Sequence, residues 1–297
     1  MPNRRGETPG RGRERPIPWP VVVVPVFNAP EALDACLASL YGTLPSGARV
    51  LLVDDASDDR RVAGVLDRWL ERAGSLWNLE RQPRNRGFVA TANRGMQAVT
   101  GDVVLLNSDT VVTAGWLEGL TRCLESDPGI ATATPWTNNG EIASLPRFCA
   151  VNPIPSDPDS VARIVAATGD AVYPDLPTAV GFCMAVRRAA LDAVGYFDPD
   201  FGLGYGEEND FSMRVRAAGW RNVLCDDVYV VHVGGQSFGP LGLAPDPVAM
   251  QRVLDRHPDY LDRVKAFIED DPLAERRTTV VRALEQAGVL TREALGV

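Results

Sequence analysis

GDVVLLNSDTVV, residues 101–112, is the stretch that decides the fold. Four apolar residues, Val103 to Leu106, run without alternation, which is typical of a short strand buried on both faces in a parallel sheet. The run ends in Asn107, Ser108 and Asp109, whose short side chains carry oxygen atoms. Ligands of open α/β sheets bind at the carboxyl ends of strands, and a carboxylate there can hold a hard cation that in turn holds a phosphate. A simple turn is the alternative, because these three residue types are common in turns.

Composition limits the class of protein. The chain has 297 residues, enough for one large α/β domain or two smaller ones. Its hydrophobic content of 45% is ordinary, and no apolar run approaches the roughly 20 residues of a membrane span. The net charge of −9 argues against broad nucleic-acid binding. The five cysteines are far apart, odd in number and without metal-ligand spacing, which favours buried thiols in a reducing cytosol.

The amino-terminal residues 1–18 predict a disordered, Arg-rich arm, because they combine arginines with Gly and Pro. Their charge suits a peripheral contact with anionic lipid, although a solubilising tail is the simpler interpretation. The arm and the following VVVVPVF, residues 21–27, resemble a signal peptide in outline. Prolines interrupt that segment and no small-residue cleavage site follows a long enough apolar core, so we expect no signal peptide.

Strand and helix patterns alternate over the first half of the chain. The alternation implies right-handed crossovers and a mostly parallel sheet flanked by helices. Residues 135–177 break the pattern as a long irregular insertion in which only VARIVAAT looks helical. Residues 241–297 predict a C-terminal helical appendage, and Asp58 is the expected N-cap of the second helix. The predicted strands are Val21–Phe27, Val50–Val53, a short strand from Leu79, Val103–Leu106, Ile130–Thr134, Thr178–Val186 and Val228–Val231.

Polar side chains also follow other strands. Asp54 and Asp55 come directly after the second strand, where carboxylates can accept hydrogen bonds from a nucleoside's imide N–H or ribose hydroxyls. Asn85 and Arg86 precede a helix, where a phosphate or a sugar can be met. A helix cap and a solvated arginine are the alternative. His232, one of two histidines, follows the last strand, and a hydrogen-bonded core histidine is its alternative interpretation.

Three acids open a helix after a Gly-rich loop. Glu207, Glu208 and Asp210 follow GLGYG, residues 202–206. Carboxylates in a first helical turn are favoured by the helix dipole, which is a purely structural explanation. Three acids beside a loop that can lie close to a ligand also suit general-base chemistry.

The ordered set of motifs over about residues 20–240 resembles the family-2 glycosyltransferases. That resemblance implies the GT-A fold, with a catalytic domain over residues 19–240. It also implies an inverting transfer that uses a nucleoside-diphosphate sugar and Mg²⁺ or Mn²⁺. The motifs are VVVVPVFNAPEALDACLASL, VLLVDDASDD, NRGFVATANRG, VVLLNSDTVV, GFCMAVRRAAL, GYFDPDF, GYGEENDFSMRVRAAGW and VVHVGGQS.

Residue roles carry over by position within those motifs. Asp109 and His232 would bind the metal, with Asn107 standing where the family has the first Asp of Asp-x-Asp. Glu208 would be the catalytic base, where many members have Asp, and Asp210 is the alternative base. Glu207 and Asp210 would bind acceptor hydroxyls. The predicted nucleotide-binding residues are Pro25, Asp54, Asp55, Asn85, Arg86, Asn107 and Ser108.

The resemblance also predicts partners and place. The chain is similar to the bacterial glycosyltransferases of surface-polysaccharide assembly. The acceptor would therefore be a glycan, a lipid-linked molecule or a small molecule, and the enzyme would work in the cytoplasm at the inner face of the membrane. A hydrolase is a rival, because Gly235 to Gly239 matches the nucleophile-elbow pattern, but the helical remainder offers no strands for its partners. Two more rivals are a nucleotidyltransferase of related fold and a non-catalytic module that binds nucleotide-sugars or glycans.

Overall fold

The computed structural model describes residues 19–234 and 247–290. The predicted Arg-rich arm, residues 1–18, and the nucleophile-elbow pattern, residues 235–239, lie outside the described residues. The predicted domain boundary at residue 240 falls in the same undescribed segment and stays a prediction.

Within the described residues the chain forms ten strands and ten α-helices. The strands are β1 (Val21–Val26), β2 (Val50–Asp54), β3 (Trp77–Arg81), β4 (Val103–Leu106), β5 (Thr110–Val111), β6 (Ile130–Trp136), β7 (Asp175–Leu176), β8 (Cys183–Val186), β9 (Arg221–Tyr229) and β10 (Val231–His232). The helices are α1 (Pro30–Thr43), α2 (Arg60–Ala73), α3 (Phe88–Ala98), α4 (Trp116–Ser126), α5 (Pro158–Ala167), α6 (Arg188–Val194), α7 (Glu207–Ala217), α8 (Pro247–Arg256), α9 (Tyr260–Asp270) and α10 (Ala274–Gln286).

Eight of these strands make one sheet in the order β3-β2-β1-β4-β8-β6-β9-β7. The pairs that join β3, β2, β1 and β4 are parallel, as is the pair β6–β9, so the prediction of a mostly parallel sheet is confirmed. Strand β8 runs antiparallel to both of its neighbours. Strands β1, β2 and β4 are buried along their whole lengths, which explains their unbroken apolar sequences.

Helices cover both faces of the sheet. Helices α1, α2 and α4 pack on one face, and the predicted apolar stripe Leu33, Leu37 and Leu40 of α1 is fully buried there. Helices α3, α6 and α7 pack on the other face, together with α8 and with Tyr260 and Val264 of α9. Each fully buried leucine contributes about 1.5–3 kcal/mol, so these stripes hold the layers together.

Two predicted strands differ from the structure. The strand expected at Thr178–Val186 begins only at Cys183, because the backbone N–H groups of Ala179 and Val180 donate to the hydroxyls of Ser212 and Thr134. The strand expected at Val228–Val231 is two elements, the longer β9 and the short β10.

Smaller predictions are also corrected. Asp59, not Asp58, caps α2, since the Asp59 carboxylate accepts a hydrogen bond from the backbone N–H of Arg61 at 2.9 Å. Four of the five cysteines are buried as free thiols, but Cys149 is exposed. No helix in residues 19–234 or 247–290 has the length and apolar character needed to cross a membrane.

Candidate active site

The loops after β1 and β2 are held in a strained backbone conformation. Asn28, Ala29 and Ala56 have φ values of 53°, 51° and 54°, a region that residues with a Cβ rarely adopt. The Asn28 side chain fixes the two loops together, because its carbonyl oxygen accepts from the backbone N–H groups of Asp58 and Asp59. Strain of this kind persists where the surroundings impose it, and it clusters at functional sites.

Asp55 organises the loop that precedes α3. One carboxylate oxygen accepts from the backbone N–H of Arg86 and the other from that of Gly87, both at 2.8 Å. The Gln82 amide donates to the same carboxylate at 2.8 Å, and Asn85 accepts from Gly87. Burial raises the pKa of the Asp55 carboxyl, while the hydrogen bonds from the backbone N–H groups of Arg86 and Gly87 oppose the rise. The predicted residues Asp55, Asn85 and Arg86 are therefore one connected group.

Asp54 and Pro25 lie beside this group. One Asp54 oxygen accepts from the backbone N–H of Ser57 at 3.1 Å, and the other lies 4.0 Å from Nε of Arg81. Pro25 is buried in β1 and is in register with Val53 of β2, next to Asp54. Ser108 is buried and does not line the cavity described below, in contrast to Asn107.

A short antiparallel ribbon brings Asp109 and His232 together. Strands β5 and β10 pair with His232 opposite Thr110, and the backbone N–H of Val233 donates to the carbonyl of Asp109 at 3.0 Å. His232 Nε2 consequently lies 3.6 Å from Oδ1 of Asp109. The imidazole stacks on Phe182, with 5.1 Å between ring centroids.

The hydrogen bonding of His232 fixes how its ring is used. Nδ1 lies 2.6 Å from the carbonyl oxygen of Asn139, an acceptor, so Nδ1 carries a proton and Nε2 is the ring nitrogen that faces Asp109. A backbone carbonyl on the other ring nitrogen is the usual support for a metal-binding histidine. The separation of 3.6 Å is too long for a hydrogen bond but suits two groups that share one cation.

The donor set matches a cation that also binds phosphate. No group of three or more His, Cys, Asp or Glu side chains forms a metal cage in the part of the chain described. Mg²⁺ in phosphate-binding sites needs only one or two carboxylates, because substrate phosphates supply further ligands. Asp109 and His232 therefore fit a divalent ion that is bound jointly with a diphosphate.

Helix α7 begins with the predicted base. Gly206, its N-cap, has a φ of 92°, and a Cβ there would stand 3.1 Å from side-chain atoms of Phe201 and Val253, so this position requires glycine. Burial and the neighbouring Glu208 raise the pKa of Glu207 well above its usual value. Burial is also the main cause that raises the pKa of Glu208, and the charge of Glu141 adds to it.

Asp210 faces away from that site. Its side chain is 2% exposed, with one oxygen 2.8 Å from Nε of Arg214 and the other 2.9 Å from Nε2 of His257. Arg256 lies 3.7 Å from the same carboxylate. Asp210 does not line the cavity that contains Glu207 and Glu208, so its contacts give no support to the acceptor-binding or base role predicted for it.

One cavity of about 320 Å³ collects the central predicted residues. Asn107, Asp109, Glu207, Glu208 and His232 all line it. The predicted nucleotide-binding residues Pro25, Asp54, Asp55, Asn85 and Arg86 do not line it, but Phe88, which follows their loop, does.

Sequence reasoning missed several lining residues. Tyr205 lines the cavity with a φ of 70°, and burial together with the charges of Glu207, Glu208 and Asp109 raises its pKa. An aromatic residue inside a Gly-rich loop was the available signal. The carbonyl of Asn139 and the lining residue Tyr260 had none, because nothing near them in the sequence indicates what they contact.

Comparison with known proteins matches the glycosyl transferase family 2 model to residues 21–195. Bovine polypeptide N-acetylgalactosaminyltransferase 6 is 24% identical over 243 residues, and an uncharacterized glycosyltransferase of Mycobacterium tuberculosis is 26% identical over 227 residues. Each match covers 73% of this chain. The chain spans 38% of the bovine relative and 87% of the mycobacterial one.

Solved structures agree on the fold. GalNAc-T7 with UDP, GalNAc and Mn²⁺ superposes with a TM-score of 0.62 at 16% identity, covering 89% of this chain and 54% of that chain. The mannosyltransferase PcManGT from Pyrobaculum calidifontis with GDP-Man and Mn²⁺ gives 0.54 at 19% identity, covering 95% and 81%. The structural neighbours are GT-A glycosyltransferases, so the predicted fold class is confirmed. Because the family model matches more than half of the residues, this chain belongs to glycosyl transferase family 2.

Proposed function

We propose that the protein transfers a sugar, with inversion, from a nucleoside-diphosphate donor to a hydroxyl group of an acceptor. The observation that carries the proposal is the shared cavity, which Asp109 and His232 line together with Glu208. Transfer requires a place for the diphosphate and a base for the attacking hydroxyl within one substrate-sized space. The complexes of GalNAc-T7 with UDP and of PcManGT with GDP-Man support a nucleotide-sugar donor. Because one contains uridine and the other guanosine, they do not select the nucleobase of the donor.

Donor binding is proposed to use the strained loops after β1 and β2. Asp54 is proposed to accept a hydrogen bond from the nucleoside. Asp55 holds the backbone of Arg86 and Gly87 at the amino-terminus of α3. Asp109 and His232 would hold Mg²⁺ or Mn²⁺, as the Mn²⁺ in both neighbours suggests. That ion would neutralise the charge that develops on the departing diphosphate.

Glu208 is proposed as the base. Its side chain lines the cavity next to Gly181, where a Cβ would lie in ordinary van der Waals contact, 3.7 Å from Cγ of Glu208. A raised pKa brings the carboxylate closer in basicity to the hydroxyl it deprotonates. One base acting opposite the leaving group gives inversion without a covalent intermediate, and Glu207 beside it is proposed to bind an acceptor hydroxyl.

The proposed acceptor is a glycan or a lipid-linked glycan. The family resemblance to enzymes of surface-polysaccharide assembly supports this class and a place at the cytoplasmic face of the membrane. Flotation of the full chain with anionic vesicles tests the membrane contact, and removal of residues 1–18 should abolish it if the arm provides the charge.

A thermal-shift screen of UDP-, GDP- and dTDP-sugars, with and without Mn²⁺, tests the donor proposal, because a bound ligand raises the melting temperature. The stabilising donor is then incubated with acceptors, and NMR of the product reads its anomeric configuration. A product with the donor's configuration would refute inversion. Donor binding without any turnover would instead favour a non-catalytic module.

A further inference from the structure

The C-terminal helices form one wall of the candidate active site. Met250 of α8, with Tyr260 and Val264 of α9, lines the cavity that contains Glu208. All three lie beyond the residues 21–195 that the family model matches. Tyr260, Glu208 and Glu141 line the same cavity; burial raises the pKa of Tyr260, and the charges of the two acids raise it further. This wall therefore stands next to the proposed base.

Hydrogen bonds and ion pairs from the carboxyl-terminal end of α8 fix this wall relative to α7. His257, directly after α8, places Nε2 2.9 Å from the Asp210 carboxylate, two residues after Glu208. Arg256 pairs with Asp198 at 2.9 Å, and its guanidinium lies over Phe201 at 5.2 Å from the ring centroid. Position and orientation of α8 are thus coupled to the helix that carries Glu208.

Two kinds of side chain line the cavity. The acids Asp109, Glu141, Glu207 and Glu208 are among the lining residues. The wall from α8 and α9 presents the apolar groups of Met250, Val264 and the Tyr260 ring. No lysine or arginine is among the described residues that line the cavity. An anionic acceptor would therefore meet carboxylates without a protein cation to balance it.

We propose that α8 and α9 select the acceptor, and that Met250 and Val264 contact the apolar part of a neutral, hydroxyl-bearing glycoside whose hydroxyl faces Glu208. This inference rests on the proposed glycosyl transfer. It predicts that α8 and α9 distinguish acceptors by their shape and charge. The loops after β1, β2 and β4 recognise the donor.

The test first establishes donor hydrolysis by the full chain, with water as acceptor. Neutral octyl β-D-glycosides (gluco, galacto, manno and N-acetylglucosamine forms) are then assayed as acceptors or as competitors of hydrolysis. The best of them is compared with its methyl glycoside and with its octyl uronic-acid counterpart. We expect the octyl glycoside to have a KM at least about tenfold lower than the methyl glycoside, which two buried methylene contacts would supply. We also expect a lower KM than for the octyl uronic acid, because its carboxylate would meet the acids of the cavity.

Met250→Lys tests the wall, with Gln251→Lys as its matched control, because Gln251 is exposed on the same helix and does not line the cavity. We expect Met250→Lys to raise the KM of the octyl glycoside about tenfold, more than it raises the donor KM, and Gln251→Lys to change neither. Val264→Asn should act in the same direction.

Three results would overturn the inference. The first is that Met250→Lys and Gln251→Lys have the same KM for the acceptor. The second is that the protein prefers the octyl uronic acid to the neutral octyl glycoside. The third is that no neutral glycoside accepts sugar or competes with donor hydrolysis. Absence of donor hydrolysis and of nucleotide-sugar binding in the wild type would instead refute the proposed function itself.

Discussion

Replacing Asp210 separates a structural role from a role in acceptor binding. The Asp210→Asn change keeps the shape of the side chain and removes its charge. Asp210 is 1% exposed and bridges Arg214 of its own helix to His257 beyond α8. A structural role predicts a large loss of stability, whereas an acceptor-binding role predicts a higher acceptor KM at unchanged stability.

The expected loss of unfolding free energy depends on which hydrogen bonds the partners of Asp210 retain in the variant. Removing one partner of a buried ion pair costs about 3–5 kcal/mol when the other charge is left alone. Arg214 is not left alone, because it also donates to the carbonyls of Val194 at 2.7 Å and Tyr196 at 2.8 Å. We therefore expect about 2–3 kcal/mol, near the value of one or two hydrogen bonds to a charged group. In a chain of this size that lowers Tm by about 4–12 °C.

Differential scanning fluorimetry and urea unfolding measure the loss. Asp200→Asn is the matched control, because Asp200 pairs with Arg256 at 3.0 Å but its side chain is 70% exposed, and such surface pairs contribute less than about 1 kcal/mol. An Asp210→Asn protein with wild-type Tm and a raised acceptor KM would refute the structural argument and restore the role predicted from sequence.

Four further predictions concern the candidate site. Glu208→Gln should lower kcat by roughly 10²–10⁴ with donor Kd retained and Tm not lowered; a large kcat loss in Asp210→Asn at full stability, with none in Glu208→Gln, would assign the base to Asp210. Asp109→Ala, or EDTA treatment of the wild type, should abolish transfer and Mn²⁺-dependent UDP binding, and full activity in EDTA would contradict a metal role. Asp54→Ala should weaken UDP binding by about 1–3 kcal/mol in calorimetry, whereas unchanged affinity would place the nucleoside elsewhere. Folding raises the pKa of Glu208 and Glu207, so the folded state holds their protons to higher pH and stability should fall as pH rises through the raised values. Over the same pH range kcat/KM should rise, because Glu208 ionises and can act as a base. If stability and kcat/KM changed in the same direction with pH, this prediction would be contradicted.

Sequence patterns predicted the elements whose neighbours are all apolar. Strand β4 and the stripe of α1 were readable because burial on a sheet leaves a local signature. The first part of β9 was not, since it carries Asp226 and Asp227 inside a buried strand. Their cations come from far along the chain: Asp226 pairs with Arg276 at 2.8 Å, and Asp227 pairs with Arg122 at 2.7 Å. A local window contains neither partner.

In the candidate site, too, local motifs were predictable from the sequence and contacts between distant segments were not. The resemblance placed Asp109, His232 and Glu208 in one site, and the structure brings all three to one cavity, although their roles stay predictions. It did not foresee that Asp210 would be occupied by His257, because that contact joins segments 47 residues apart. Nor could spacing indicate that α8 and α9 reach the cavity, since helix patterns give no packing direction.

The reversed direction of β8 has a consequence for how this protein can change over evolutionary time. Because β8 is antiparallel, Phe182 before its first residue lies at the same edge as Asn107 after the last residue of β4, and the Asn107 N–H donates to the Phe182 carbonyl at 2.8 Å. The chain between β6 and β8 therefore leaves and re-enters at the edge of the sheet that carries the candidate site. Insertions or deletions in residues 153–156, between Asn152 and α5, can lengthen or shorten that excursion without displacing Asp109 or Asn138 and Asn139, which hold His232.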